Sequence, residues 1–231
     1  MLASDLLAAA STWRPQQFGD RRAHDIDDPL VEPLWTGPRV LGLVVDGDAT
    51  LTNTEGEPVT GHDEVRAALV DASGGSTFLI EASLTPEPLQ ALMDIAARDA
   101  PTMPKPGDAL TQMMVGSRGD RKDRLFQRVD EVRRRTDDPS IDVVLVATDL
   151  LWLEDESLCD VPLLERKRIL ESVVLESDLV RVGTFVRPPI DAWLGPWRSF
   201  GFQRMAFKGA NSRYVPGSKN RDWALAEIPR R

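Results

Sequence analysis

The sequence predicts an α+β fold. Strand-like runs are joined by tight turns, as at Arg39–Asn53, and not by regular crossover helices. Ile141–Ala147 is a nearly continuous apolar run, the pattern of a strand covered on both faces. The helical stretches are short and amphipathic, which suits helices at the periphery of a sheet. No internal repeat and no clean linker divides the chain, so 1–231 reads as one domain.

Taken in order, residues 1–30 read as polar and irregular after one short helical stretch. Arg39–Val45 is β-branched and apolar, Asp46-Gly47-Asp48 is turn chemistry, and Ala49–Asn53 returns as a hairpin partner. Thr60-Gly61-His62-Asp63 precedes a helix with Val65, Ala68 and Leu69 on one face. Ser73-Gly74-Gly75 ends it, and Thr77–Leu84 reads as a strand. Pro86–Arg98 reads as a helix, 101–121 as a long loop, and Asp123–Arg135 as an amphipathic helix with an arginine-rich outer face. Ile141–Ala147 is a strand, followed by Asp149, Leu150–Leu153 and an acidic turn at Glu154-Asp155-Glu156. Pro162 opens a helix over Leu163–Leu175. Val180–Val186 is a strand, Pro189–Phe200 a helix, and Phe202–Lys208 and Trp223–Ile228 are the final strands.

Composition narrows the classes. Hydrophobic residues make up 42% and charged residues 28%, an ordinary globular balance. No apolar run is long enough for a membrane helix, so no membrane partner is expected. Asp5 stands where a signal peptide would be positive, which predicts a cytoplasmic protein. The single cysteine, Cys159, excludes an internal disulfide, and two distant histidines, His24 and His62, offer no metal cluster. A net charge of −9 argues against a general nucleic-acid binder. The charge is uneven: residues 181–231 carry +7 and residues 1–180 carry −16. The basic part reads either as a phosphate-facing surface or as a solvated counterweight to an acidic body. Six tryptophans could stack on bases, but Trp193 and Trp197, four apart on a predicted helix, suit packing better.

Three stretches occur in a recognisable order. The first is Glu32-Pro33-Leu34-Trp35-Thr36-Gly37-Pro38-Arg39. The second runs from Thr148-Asp149-Leu150-Leu151 through an acidic turn to Pro162-Leu163-Leu164-Glu165-Arg166. The third is Phe207-Lys208, then Ser212-Arg213-Tyr214-Val215-Pro216-Gly217, then Arg221-Asp222-Trp223. Together they resemble the motifs of ATP-dependent DNA ligases, within the covalent nucleotidyltransferases. The resemblance implies the nucleotidyltransferase (ATP-grasp-like) fold, with two antiparallel β-sheets flanked by helices around a central cleft. It also implies a ligase-type adenylation domain. The OB-fold domain of members that complete ligation has no counterpart in 1–231.

In that family a lysine amine attacks the α-phosphate of ATP and carries AMP as a phosphoramidate. The resemblance puts Leu34 at the lysine position and Thr36 at the following aspartate. It puts Thr54 at an arginine before a glycine turn. Glu81-Ala82-Ser83 stands for Asp-Gly-Glu, with Ser83 at the glutamate. Thr148 stands at the aromatic residue that packs on adenine, although Asp149 is kept. Gln203-Arg204 stands for Glu-Gly. Trp223-Ala224-Leu225-Ala226-Glu227 stands for Trp-x-Lys-x-Lys, so Leu225 and Glu227 replace two phosphate-gripping lysines.

No catalytic residue is therefore expected. Glu32, Arg39 and Lys208 remain as nucleotide-binding candidates. Lys208 reads as residual anion binder or salt-bridged strand-end lysine, and Arg39 as ribose or phosphate contact or partner of an acid. Lys105 and Lys208 are the weighed substitutes for the missing amine. These losses predict a DNA ligase-like pseudoenzyme that binds a nucleotide, a DNA end or a protein partner. The alternative is an active ligase with a rearranged site, acting in DNA repair. ATP and Mg²⁺ are expected only if residual family function persists, with nicked DNA as a weak candidate partner.

Overall fold

The computed structural model describes residues 2–86 and 143–229. The expected helices at Pro86–Arg98 and Asp123–Arg135, the loop at 101–121, and Lys105 and Lys122 lie outside the described residues. Helix α1 spans Leu2–Thr12, β1 Gln17–Phe18, β2 Pro29–Pro33, β3 Arg39–Val45, β4 Asp48–Thr52, α2 Asp63–Ala72 and β5 Phe78–Pro86. After the gap come β6 Val143–Leu153, β7 Glu156–Ser157, α3 Leu163–Val173, β8 Val180–Val182, α4 Asp191–Ser199, β9 Arg204–Gly209, β10 Lys219–Asn220 and β11 Trp223–Glu227.

The larger sheet has six strands in the order β4-β3-β5-β6-β7, with β8 beside β6. It is antiparallel except for the β6–β8 pair. The β3–β4 hairpin forms as its turn chemistry demands: Asp46 and Gly47 both take positive φ, +50° and +77°. Two-residue alternation splits the strands between layers. Val40, Ile80, Ala82 and Leu145 face α2 and the C-terminal end of α3, packing on Leu69 and Leu170. Leu41, Leu79 and Leu151 face the other way, against Leu6 of α1 and against Leu30, Tyr214 and Trp223 of the second layer.

That second layer is a three-stranded antiparallel sheet, β11-β9-β2. Its outer face buries Val31 and Met205 under Trp197 of α4. A parallel two-stranded pair, β1-β10, lies at its side. Two mainly antiparallel sheets with helices outside match the predicted architecture in outline.

Several details differ from expectation. β2 arises in what reads as irregular chain; prolines bracket it, but it pairs only along β9 and at one bridge to Val186. β8 is three residues long, not seven, because the chain leaves the sheet at Gly183 to reach Val31. β6 is one continuous strand of eleven residues, not a strand, a break and a second run. It stays continuous because two residues, Thr148 and Leu151, are inserted opposite β5 as bulges. Gly37 is required where the loop after β2 crosses β5: a Cβ there would lie 1.4 Å from the Leu84 carbonyl oxygen.

Candidate functional site

Between the sheets, the inner face of the smaller one is a grid fixed by register. Leu30, Lys208 and Trp223 lie across one row, and Glu32, Ala206 and Leu225 across the next. Arg204 and Glu227 continue the third row. Leu34 reaches it through its N–H, which donates to the Arg204 carbonyl at 2.9 Å. Alternation along β2 puts Leu34 on the same side as Glu32. Leu34 is half-buried, and Arg204 and Glu227 are exposed.

Glu32 is the centre of the grid. It is 3% exposed and meets two ammonium groups: Lys167 Nζ lies 2.6 Å from Oε1, and Lys208 Nζ donates to Oε2 at 3.0 Å. Lys208 also sits 4.3 Å from the centroid of the Trp223 ring, a cation–π contact. Lys167 lies 5.8 Å from the Phe185 ring. The Lys167–Glu32 pair is close but bent, so neither Lys167 Nζ nor Glu32 Oε1 makes a well-formed hydrogen bond. Burial would raise the Glu32 pKa, but the two cations outweigh it and hold the carboxyl below its ordinary value. Burial, helped by repulsion from Lys208, pulls Lys167 below the ordinary lysine value despite Glu32.

On the larger sheet, two more acids are closed off in the same way. Glu81 of β5 takes a bidentate contact from Arg39 of β3, at 3.0 and 2.5 Å to Oε1. The Tyr214 hydroxyl donates to the other oxygen at 2.5 Å and accepts from the Gln16 N–H. Arg39 also donates to the Gln16 carbonyl and stacks over Phe18. Burial, and then Glu81, push the Tyr214 pKa well above its ordinary value, so it stays a donor. Asp149 of β6 is fully buried and holds Arg166 of α3 by two bonds of 2.8 Å. Arg166 donates further to the carbonyls of Val161 and Ser212.

Of the residues singled out in the sequence, Glu32, Lys208, Arg39 and Asp149 converge on this inter-sheet region. Arg39 serves as partner of an acid, and Lys208 is salt-bridged. Ser83 is buried on β5, in register with Arg39 and Val146. Thr148 is the bulged residue and donates to the Glu81 carbonyl. Leu225 and Glu227 follow Trp223 on β11. Thr36 is exposed, and Thr54 is exposed in the β4–α2 turn, bonded to its neighbour Glu55. Trp197 is buried, but Trp193 beside it is 46% exposed, so the expected packing pair is only half a core pair. His62 sits at the N-cap of α2 without capping it.

Sequence reasoning gave no role to Lys167, Arg166 or Tyr214. A signal for the first two was present. Leu163, Arg166/Lys167 and Leu170 follow helical spacing, so the basic pair falls on the apolar stripe of α3. Two cations on a buried stripe require buried acids opposite.

No protein-family model matches this sequence, and no curated protein is similar to it. Solved structures are. The ligase domain of M. tuberculosis LigD matches with a TM-score of 0.63 at 17% identity, over 94% of this chain and 60% of that one. A mycobacterial DNA ligase D complexed with ATP and MES matches with a TM-score of 0.61 at 17% identity, over 92% and 59%. A Lig E DNA ligase matches with a TM-score of 0.52 at 12% identity, over 92% and 68%. Similarity at such identities concerns the fold alone. The chain spans about three-fifths of the ligase D chains it matches, and what it shares with them is the fold of the LigD ligase domain.

Proposed function

We propose that this chain is a single ligase-type adenylation domain whose catalytic motifs have eroded, acting as a non-catalytic binder of a nucleotide, a DNA end or a protein partner. The observation that carries this reading is Leu34. A leucine has no lone pair, so no neighbour can tune it into a nucleophile. Leu34 is the residue after β2, two along from Glu32, and its N–H donates to the Arg204 carbonyl of β9.

The donor set supports the same reading. A triphosphate needs cations free to meet it. Here the third row of the small sheet offers Leu34, Arg204 and the anionic Glu227, and Leu225 stands in the row above. Lys167 and Lys208 share Glu32, Arg39 is held by Glu81, and Arg166 by Asp149. Within this set only the exposed Arg204 is a cation without an acid held against it, which is too little for in-line attack on a triphosphate but leaves room for weaker anion binding. The solved ligase D chain was complexed with ATP, which makes ATP the first nucleotide to test.

Incubation with ATP and Mg²⁺ followed by intact-mass measurement tests the reading. The expected spectrum is unchanged. A gain of one AMP would restore the rival, an active ligase with a rearranged site. The two buried amines are the specific observation on the rival's side, and loss of the adduct in Lys208→Met or Lys167→Met would name the one responsible. A nucleotide-dependent rise in Tm separates a binding role from none. Salt-sensitive binding to nicked DNA would identify the DNA-end version.

A further inference from the structure

Helix α3 grips both sheets with consecutive residues. Arg166 holds Asp149 of β6 in the larger sheet, and Lys167 holds Glu32 of β2 in the smaller one. The helix is shared: Leu170 is buried in the layer beneath β5 and β6, while the N–H groups of Leu163 and Leu164 donate to the carbonyls of Ser212 and Ala210, in the segment after β9. The groups facing Lys167 are Glu32 from β2, Lys208 from β9, the more distant Asp149 from β6, and the Phe185 ring beyond β8. Glu32 thus stands between two ammonium groups carried by different parts of the molecule. Lys167 comes from α3, and Lys208 from β9 of the small sheet.

We infer that Glu32 is a charge switch between the two sheets: its carboxylate draws β2 and β9 onto α3, and loss of that one negative charge turns the attraction into a repulsion that loosens the smaller sheet against the helix. The physical basis is the count of buried charges. With the carboxylate present, each lysine has an opposite charge within 3.0 Å. Without it, two cations face each other in a site where all three side chains are at most 4% exposed. Like charges in so dry a place repel far more strongly than in water. The Arg166–Asp149 clamp and the Leu163 and Leu164 hydrogen bonds are untouched, so the helix keeps its place on the larger sheet and on the segment after β9.

Hydrogen exchange of the full chain, read by peptide mass, tests this. In Glu32→Gln, amides of β2, β9 and β11 are expected to exchange at least roughly tenfold faster, while β3, β5 and β6 change by less than about twofold. In Glu32→Gln/Lys167→Met the repelling pair is gone, and the small-sheet rates are expected to return to within about threefold of the parent. An equal rise in both sheets, or no rise, overturns the inference. So does a double variant as fast as the single one, since that marks loss of a contact and not repulsion. If Glu32→Gln does not accumulate folded, recovery of folded protein in the double variant supports the switch, and failure to recover overturns it.

Discussion

Arg166 and Lys167 are neighbours on one helix, and both side chains are at most 1% exposed, yet their surroundings differ. Arg166 has a planar fork with a carboxylate matched to it and two carbonyls for its remaining donors. Lys167 has half a carboxylate, shared with Lys208, and no well-formed hydrogen bond. One cluster is neutral and satisfied; the other carries one more positive charge than negative. The lesson is that burial alone does not tell how much an ion pair stabilises. The remaining hydrogen bonds and the local charge balance decide it.

The difference can be broken most strongly at the satisfied cluster. Arg166→Met leaves Asp149 charged, alone and fully buried, and is expected to cost about 3–5 kcal/mol in urea unfolding. Asp149→Asn combined with Arg166→Met should cost less than the sum of the two single changes by at least about 1 kcal/mol, because the pair is coupled. Lys167→Met leaves Glu32 paired with Lys208 and removes the surplus charge. Its expected effect is within about 1 kcal/mol of the parent, in either direction. An Arg166→Met variant no less stable than Lys167→Met would erase the contrast.

Acidity sharpens the same contrast. Lys167 lies below the ordinary lysine value of 10.5 in the folded chain. Between its folded pKa and that value the unfolded chain binds more protons, so stability there rises with pH. Its contribution is complete above the ordinary value and is lost as pH falls through the folded pKa. The parent is therefore expected to gain on Lys167→Met as pH rises from neutral towards that value, in paired urea titrations. Glu32 is also depressed, so its contribution is present above the ordinary carboxylate value and is lost in acid as pH falls through its folded pKa. The smallest expected effect is at Cys159, whose thiol is pushed up mainly by burial. It should react with a thiol reagent at neutral pH several-fold more slowly than free cysteine.

Much of the large sheet was legible in the sequence. The β3–β4 hairpin announced itself through Asp46-Gly47 and a β-branched run, and β5 through its apolar stretch. These are local signals, and local chemistry decided the outcome. β2 was not legible, because a short strand between prolines is defined only by its partners, far away in the chain. The extent of β8 failed for the same reason: Val186 is as apolar as Val182 but bonds across to Val31. In the cleft, the acids Glu32, Glu81 and Asp149 could be named from motif order. Their partners could not be named: helical spacing puts Arg166 and Lys167 on a buried stripe, but which acid each cation meets, and the reach of Tyr214 to Glu81, are set only by the tertiary fold.

The bulge at Thr148 carries a consequence for tolerance to deletion. An inserted residue resets which way every later side chain in β6 points. Excising Thr148 alone would leave the strand apolar and still able to pair. It would close the bulge, with Ala147 still opposite Ala82 and Asp149 still opposite Glu81, so Asp149 would keep facing Arg166. A frame-preserving loss of this one small residue would thus be tolerated better than loss of either neighbour, because it leaves the wet and dry sides of everything that follows in place.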